Sequence, residues 1–159
     1  MKLSTRSRYG TRMILDMAQH YNRGPIQLGD IAKRQNVSLK YLEQIIRPLK
    51  SANYVKSFRG SKGGHMLNKP PEEITVGEVV ALLEGGAQLT DCSANPESCE
   101  RVDSCLTRYL WIEASKAIFE KLSNITFADL MALENVECKE KFLDYMSSQQ
   151  ELSRETIGC

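Results

Sequence analysis

The sequence predicts a mostly α-helical fold with a small β-hairpin: a winged helix-turn-helix followed by a long helix. Three observations predict it. Three amphipathic segments follow one another before residue 52. A glycine-rich, basic stretch then separates two short apolar runs at 54–67. Residues 105–124 finally carry apolar side chains at helical spacing over about five turns.

Each element has its own signal. Residues 5–22 place Tyr9, Met13, Met17 and Tyr21 four apart, widened by Ile14 and Ala18, which predicts an amphipathic helix. Arg23-Gly24-Pro25 breaks it. Residues 26–36 form a second helix with Leu28, Ile31 and Ala32 inward. Ser38 is a good N-cap for a third, which turns Leu39, Leu42, Ile45, Ile46 and Leu49 inward. Lys40, Glu43, Gln44 and Arg47 stand on its opposite face, and Pro48 is expected to kink or shorten its last turn. Tyr54–Phe58 and His65–Leu67 read as the strands of a hairpin. Thr75-x-x-Glu78 is a capping box that opens the run from Val79, and Gly85-Gly86 stops that helix. The long helix has a stripe of Trp111, Ala114, Ile118 and Leu122, broadened by Leu110 and Ala117. A capping start at Thr126 predicts a short helix through Leu133, and beyond about Glu137 the polar chain reads as a loose tail.

Charge divides the chain in two. Residues 1–69 carry 14 Lys and Arg against three acids, a net +11; residues 70–159 carry 7 against 17, a net −10. A basic half joined to an acidic half is expected when one part meets a polyanion. No apolar run approaches the roughly 20 residues of a membrane span, and the first ten residues have no signal-like apolar stretch. The chain is therefore placed in the cytoplasm, where thiols stay reduced, and five cysteines fit a disulfide framework poorly.

In a winged helix-turn-helix the second helix of the turn pair lies in the major groove. The exposed face of residues 38–47 suits that role. Gln44 can pair bidentately with adenine, Glu43 can accept from cytosine N4, and Lys40 and Arg47 can reach guanine or phosphate. An ordinary solvated helix face has the same composition, and the hairpin tilts the balance. Its tip, Arg59-Gly60-Ser61-Lys62-Gly63-Gly64, lets backbone N–H groups approach phosphates and sends an arginine toward the minor groove. His65 reads as a packing or phosphate contact. No Gly-Lys-Ser/Thr opens a helix, which disfavours a nucleotide-binding loop. There is no nucleophile–base pair, so neither an enzyme nor a small-molecule substrate is expected.

Cys92, Cys99 and Cys105 lie within fourteen residues of mostly polar sequence. Thiolates select zinc, copper(I) or iron–sulfur clusters. An exposed thiol set or a redox pair are the alternatives, and the Cys-x-x-Cys knuckle favoured by structural zinc is absent.

Together these features resemble the iron–sulfur cluster regulator (IscR-like) family of bacterial winged-helix transcription regulators. The resemblance is carried by MKLSTRSRYG, LGDIAKRQNVSLKYLEQI, SFRGSKGGHML, ITVGEVV, the three-cysteine loop and CLTRYLW…LSNIT, from residue 1 to about 133. It implies a repressor-type homodimer on double-stranded operator DNA, paired through a dimerisation helix at about 104–123. It implies an iron–sulfur cluster on Cys92, Cys99 and Cys105, of the 2Fe–2S kind before 4Fe–4S. It also places Ser38, Lys40, Tyr41, Glu43 and Gln44 in the reading helix and Arg59 in the wing, with Lys62 and Gly63 beside it. The implied domains are 1–83 for DNA, 84–103 for the cluster, 104–136 for the dimerisation helix and the short helix after it, and 137–159 as a flexible tail.

Two positions depart from the family pattern. The first cysteine gap holds six residues where five are common. Arg108 stands where the 2Fe–2S branch has a histidine ligand, and a guanidinium has no acceptor with which to ligate. The nitric-oxide-sensing branch uses an aspartate where this chain has Arg8. A fourth ligand then comes from Asp91, Glu97, Glu100, Asp103, Cys138, the partner subunit or an exogenous thiol. The expected function is a regulator that senses iron–sulfur status and controls cluster-biogenesis genes. The alternatives are a nitric-oxide-sensing repressor with a 4Fe–4S cluster and a cluster-carrier or electron-transfer module.

Overall fold

Ser4 opens the first helix by accepting the Ser7 N–H on its hydroxyl at 3.1 Å, in a computed structural model that describes residues 2–133 and 140–144. Helix α1 (Thr5–Gln19) buries Met13, Ile14, Met17 and Ala18. It ends three residues before the expected boundary. The amides of His20 and Tyr21 fold back on Met17 and Ala18, and Asn22 and Gly24 take positive φ (62° and 97°), which turns the chain. Helix α2 (Leu28–Gln35) closes on Asn36 in the left-handed region. Helix α3 (Leu39–Ser51) is capped by Ser38, as expected.

Pro48 lies in the last turn of α3, which stops at Ser51; proline removes one N–H bond there, and the fully buried Leu49 holds that turn against the core. One expectation for α3 needs correction. Leu39, expected inward, is 44% exposed, because the first position of α3 lies beyond the edge of the core.

The hairpin pairs β1 (Val55–Phe58) with β2 (Gly64–Leu67) antiparallel, Val55 opposite Leu67 and Phe58 opposite Gly64. Ile26 adds a bridge to His65 through two backbone bonds of 2.8 Å, so the wing is pinned to the segment ahead of α2. Helix α4 (Val76–Glu84) starts with both bonds of its predicted capping box and stops at Gly85 with φ 82°. The cysteine segment holds helix α5 (Asp91–Ala94) and a 3₁₀ turn at Pro96–Ser98, where the sequence suggested only loop. Helix α6 (Leu106–Ser123) and helix α7 (Phe127–Ala132) follow, the second opened by a Thr126–Asp129 capping box.

One core joins these elements. Met13, Leu42, Ile45, Ile74, Val79 and Phe127 are fully buried in it. Helices α4 and α6 cross closely because Gly77 has no side chain; a Cβ there would strike the backbone and hydroxyl of Ser123. Ser115 is the buried residue of α6, with Ile112 and Phe119 half-buried beside it; of the predicted stripe, Ala114, Ile118 and Leu122 are half-buried and Trp111 is exposed. Leu106, Tyr109 and Leu110 stay more than half exposed, and Trp111 is 40% exposed.

Asp16 is the one acid sealed inside the winged-helix half among the described residues. It is 2% exposed and takes a two-pronged Arg34 guanidinium at 2.6 and 3.0 Å and the Gln35 amide at 2.9 Å. Gln35 in turn accepts from Arg12. This network locks α2 onto α1. Residues 140–144 form a short helical segment whose Phe142 packs on the core. Cys138, Cys159 and the rest of the predicted tail lie outside the described residues.

Candidate nucleic-acid interface and thiol loop

Helix α3 exposes Lys40, Glu43, Gln44 and Arg47, as its periodicity demands once Leu42, Ile45, Ile46 and Leu49 face the core. Ser38 is exposed at the helix start, and its hydroxyl accepts the Tyr41 N–H at 3.3 Å. Tyr41 is differently placed. Its hydroxyl meets Thr5 Oγ1 at 2.9 Å, and its ring stands edge-on to Tyr9 with centroids 6.0 Å apart. Tyr41 therefore ties α3 to the start of α1. Between α3 and the wing runs an open groove of about 610 Å³ lined by Glu43, Arg47, Lys50 and His65.

The wing tip carries Arg59 and Lys62, both exposed. Gly60 takes φ 109°, and the Gly63 N–H closes the turn on the Gly60 carbonyl at 3.0 Å. A Cβ on Gly63 would collide with the carbonyl oxygens of Phe58 and Gly60, so Gly63 shapes the tip. His65 Nδ1 lies 2.9 Å from Ser57 Oγ on the facing strand. Burial, then the nearby Lys50 charge, push its imidazole below the ordinary value of 6.5 and favour the neutral ring.

The three thiols share one loop. Cys92 sits in α5, Cys99 follows the 3₁₀ turn, and Cys105 is the N-cap residue of α6; each is free and half-buried. Thr90 Oγ1 lies 3.5 Å from the Cys92 sulfur. The Thr107 hydroxyl, 3.3 Å from the Cys105 sulfur, together with the Thr107 and Arg108 amides and the Arg101 charge, holds the Cys105 thiol below its ordinary value of 9.0. A thiol that gives up its proton readily at a helix start suits a soft metal centre. Among the described residues, no three His, Cys, Asp or Glu side chains converge on one point. The donor chemistry fits a cluster, and the three thiols are brought to one loop without yet sharing one focus.

Two contacts that the sequence reading missed hold this loop to α6. Ser115, 1% exposed, accepts the Leu89 N–H at 3.0 Å and donates to the Trp111 carbonyl at 2.6 Å. Arg108 Nε donates to the Cys92 carbonyl at 3.0 Å. A serine in the otherwise apolar row of Ile112, Phe119 and Leu122 was the available signal for the first. Where α4 runs into this loop, Glu84 Oε1 accepts the Ser4 N–H at 2.8 Å. Burial raises the Glu84 carboxyl, but the Ser7 and Ser4 hydrogen bonds and the Arg6 charge outweigh it and leave it below 4.5.

Residues 3–133 match the Rrf2 family, described as an iron-dependent transcriptional regulator. The chain belongs to the Rrf2 family. It is 49% identical over 131 residues to Protein rrf2 of Nitratidesulfovibrio vulgaris, covering 82% of this chain and 87% of that protein. It is 40% identical over 136 residues to the transcriptional regulator IscR of Serratia proteamaculans, covering 86% and 82%. Among solved structures it is similar to T. potens IscR, with a TM-score of 0.70 at 36% identity over 86% of this chain and 90% of that one. It is also similar to CymR, the global cysteine regulator of B. subtilis, with a TM-score of 0.67 at 37% identity over 82% and 95%. The family description and the IscR and CymR names are those of regulators, not of enzymes. This Rrf2 protein is accordingly an IscR-like, DNA-binding transcription regulator with a winged helix-turn-helix. No described helix is long and apolar enough to cross a membrane.

Proposed function

We propose that this Rrf2 regulator is a cytoplasmic homodimer that binds a pseudo-palindromic operator and senses iron–sulfur status through a cluster on Cys92, Cys99 and Cys105. Residues 1–83 read DNA, 84–103 hold the cluster, and 104–136 pair the subunits through α6. Ser38, Lys40, Glu43 and Gln44 contact base edges or phosphates, and Arg59 and Lys62 contact the backbone and minor groove beside a tip shaped by Gly63. Tyr41 holds α3 against α1, and its hydroxyl keeps the capacity for one contact with DNA. The genes controlled are those of cluster biogenesis.

The observation that carries this reading is one polar loop bearing three free thiols, tied to α6 by Ser115 and Arg108. The exposed Leu106, Tyr109 and Leu110 on α6 support pairing there, since a monomer gains nothing by leaving that row in water. A bound cluster supplies a redox- and oxygen-sensitive centre that can be lost. The chain's own part is to hold thiolates, Cys105 foremost, and to pass the order of the loop onward. Glu84, the last residue of α4 and the first of 84–103, grips Ser4, and Thr5 grips Tyr41 of the reading helix. A difference of about 1.4 kcal/mol between cluster-bound and cluster-free states suffices for tenfold in operator affinity.

The 2Fe–2S form is favoured over the 4Fe–4S form of a nitric oxide sensor by the resemblance of the cysteine loop to the former branch. The fourth ligand is one of the loop carboxylates Asp91, Glu97, Glu100 and Asp103, Cys138, a partner-subunit group or an exogenous thiol. The carrier reading is set aside, because the relatives are regulators. Anaerobic purification with iron and sulfide counts and a visible spectrum tests the proposal. Two irons and two sulfides per chain support it, four of each select the nitric-oxide branch, and a protein that neither carries nor reconstitutes iron contradicts both.

A further inference from the structure

We propose that Leu39 reads the C5-methyl group of a thymine in the major groove. The inference rests on α3 being the reading helix and adds a specificity residue to it. Leu39 is the first residue of α3, directly after the Ser38 cap, and it is 44% exposed. The base-reading end of such a helix is its N-terminal part. Every other solvent-facing side chain in the next two turns is polar: Lys40, Glu43, Gln44 and Arg47. Polar groups match donors and acceptors on base edges. The thymine methyl is the one apolar mark in the major groove, and an apolar side chain is its partner.

The fold does not require leucine at this position. Its chain neighbours in the core, Leu42, Ile45 and Ile46, are 0 to 5% exposed and complete the α3 seam without it. Lys33, Asn36 and Val37 border a shallow open recess with Leu39, so the side chain has room beside it to meet a methyl group. Leu39 also adjoins Lys40, and Lys33 lies across the recess, so charges that can hold phosphates flank the apolar contact.

The test is a chemical double-mutant cycle. The operator is selected from random duplex DNA with the intact protein, and each thymine of a half-site is replaced in turn by deoxyuridine, which removes the methyl alone. Wild-type protein should lose about fourfold in affinity at one thymine per half-site, the equivalent of about 0.8 kcal/mol for one buried methylene-sized group. Leu39→Ala should bind the thymine and deoxyuridine operators equally while keeping the wild-type melting temperature. Gln44→Ala, run on the same duplexes, should weaken binding yet keep the methyl effect. Equal wild-type binding to every deoxyuridine operator, with Gln44→Ala still weakened, would overturn the Leu39 assignment and leave α3 as the reading helix. A methyl effect that persists in Leu39→Ala would overturn it equally. No effect of either the methyl or Gln44→Ala would overturn the reading helix itself.

Discussion

Arg108 Nε donates a hydrogen bond of 3.0 Å to the carbonyl oxygen of Cys92, joining the first turn of α6 to the helix that holds the first thiol. The guanidinium cannot ligate a metal, and here it fixes the backbone that carries a candidate ligand instead. Replacing it should loosen the loop without unfolding the protein. Arg108→Ala is expected to speed amide exchange across 91–95 several-fold while changing global stability by about 1 kcal/mol, since one hydrogen bond is lost at a half-exposed site. Exchange mass spectrometry beside a urea melt checks both halves of that statement. Unchanged exchange at 91–95 would show that the tie does not restrain the loop.

Ser115 makes the second tie. Ser115→Ala leaves the Leu89 N–H without its acceptor and removes the donor to Trp111, so about 1–2 kcal/mol of stability should be lost. Urea unfolding at constant slope measures it, and a loss below about 0.3 kcal/mol would mean that water replaces the hydroxyl at no cost.

Asp16 sets an acid limit on the winged-helix half. Burial raises its carboxyl, yet the hydrogen bonds from Arg34 and Gln35, and the Arg34 and His20 charges, more than offset this and hold it below 3.8. A depressed folded value means that the stabilisation is complete above 3.8 and is lost as pH falls through the folded value. Asp16→Ala should therefore cost about 2 kcal/mol at pH 7, less than a fully buried pair because Arg34 is 40% exposed. The gap from wild type should narrow in melts run below pH 3.8. A gap that is the same at pH 3 and pH 7 would show that the carboxylate charge plays no part.

Reading and anchoring should separate by salt. Gln44→Ala is expected to weaken operator binding by about 1–3 kcal/mol with an unchanged salt slope. Lys62→Ala should weaken binding to all sequences and lower the slope by about one. Titrations at four salt concentrations distinguish them, and a Gln44→Ala loss that is equal on random DNA would remove Gln44 from base reading.

Much of this was legible in the residues because it is local. Ser38 and the Thr75–Glu78 box are short-range hydrogen-bond signals, and both caps form. The apolar spacing through Met13 and Ile45 marks the buried face at once. What stayed hidden depends on partners far along the chain. The grip of Arg34 on Asp16 spans 18 residues, and that of Ser115 on Leu89 spans 26. Leu39 was misplaced because periodicity gives a direction around the helix and not the point where the core ends. On α6 the predicted Ala114, Ile118 and Leu122 are half-buried while Trp111 is exposed, because apolar side chains on more than one face leave the exact inward direction to tertiary packing.

The most direct test compares operator affinity of the anaerobically cluster-loaded protein with that of the Cys92→Ala, Cys99→Ala, Cys105→Ala triple variant at one salt concentration. The two should differ by at least about tenfold on at least one operator, corresponding to a coupling of about 1.4 kcal/mol or more. Identical binding curves on every operator tested would contradict a sensing role for the thiol loop.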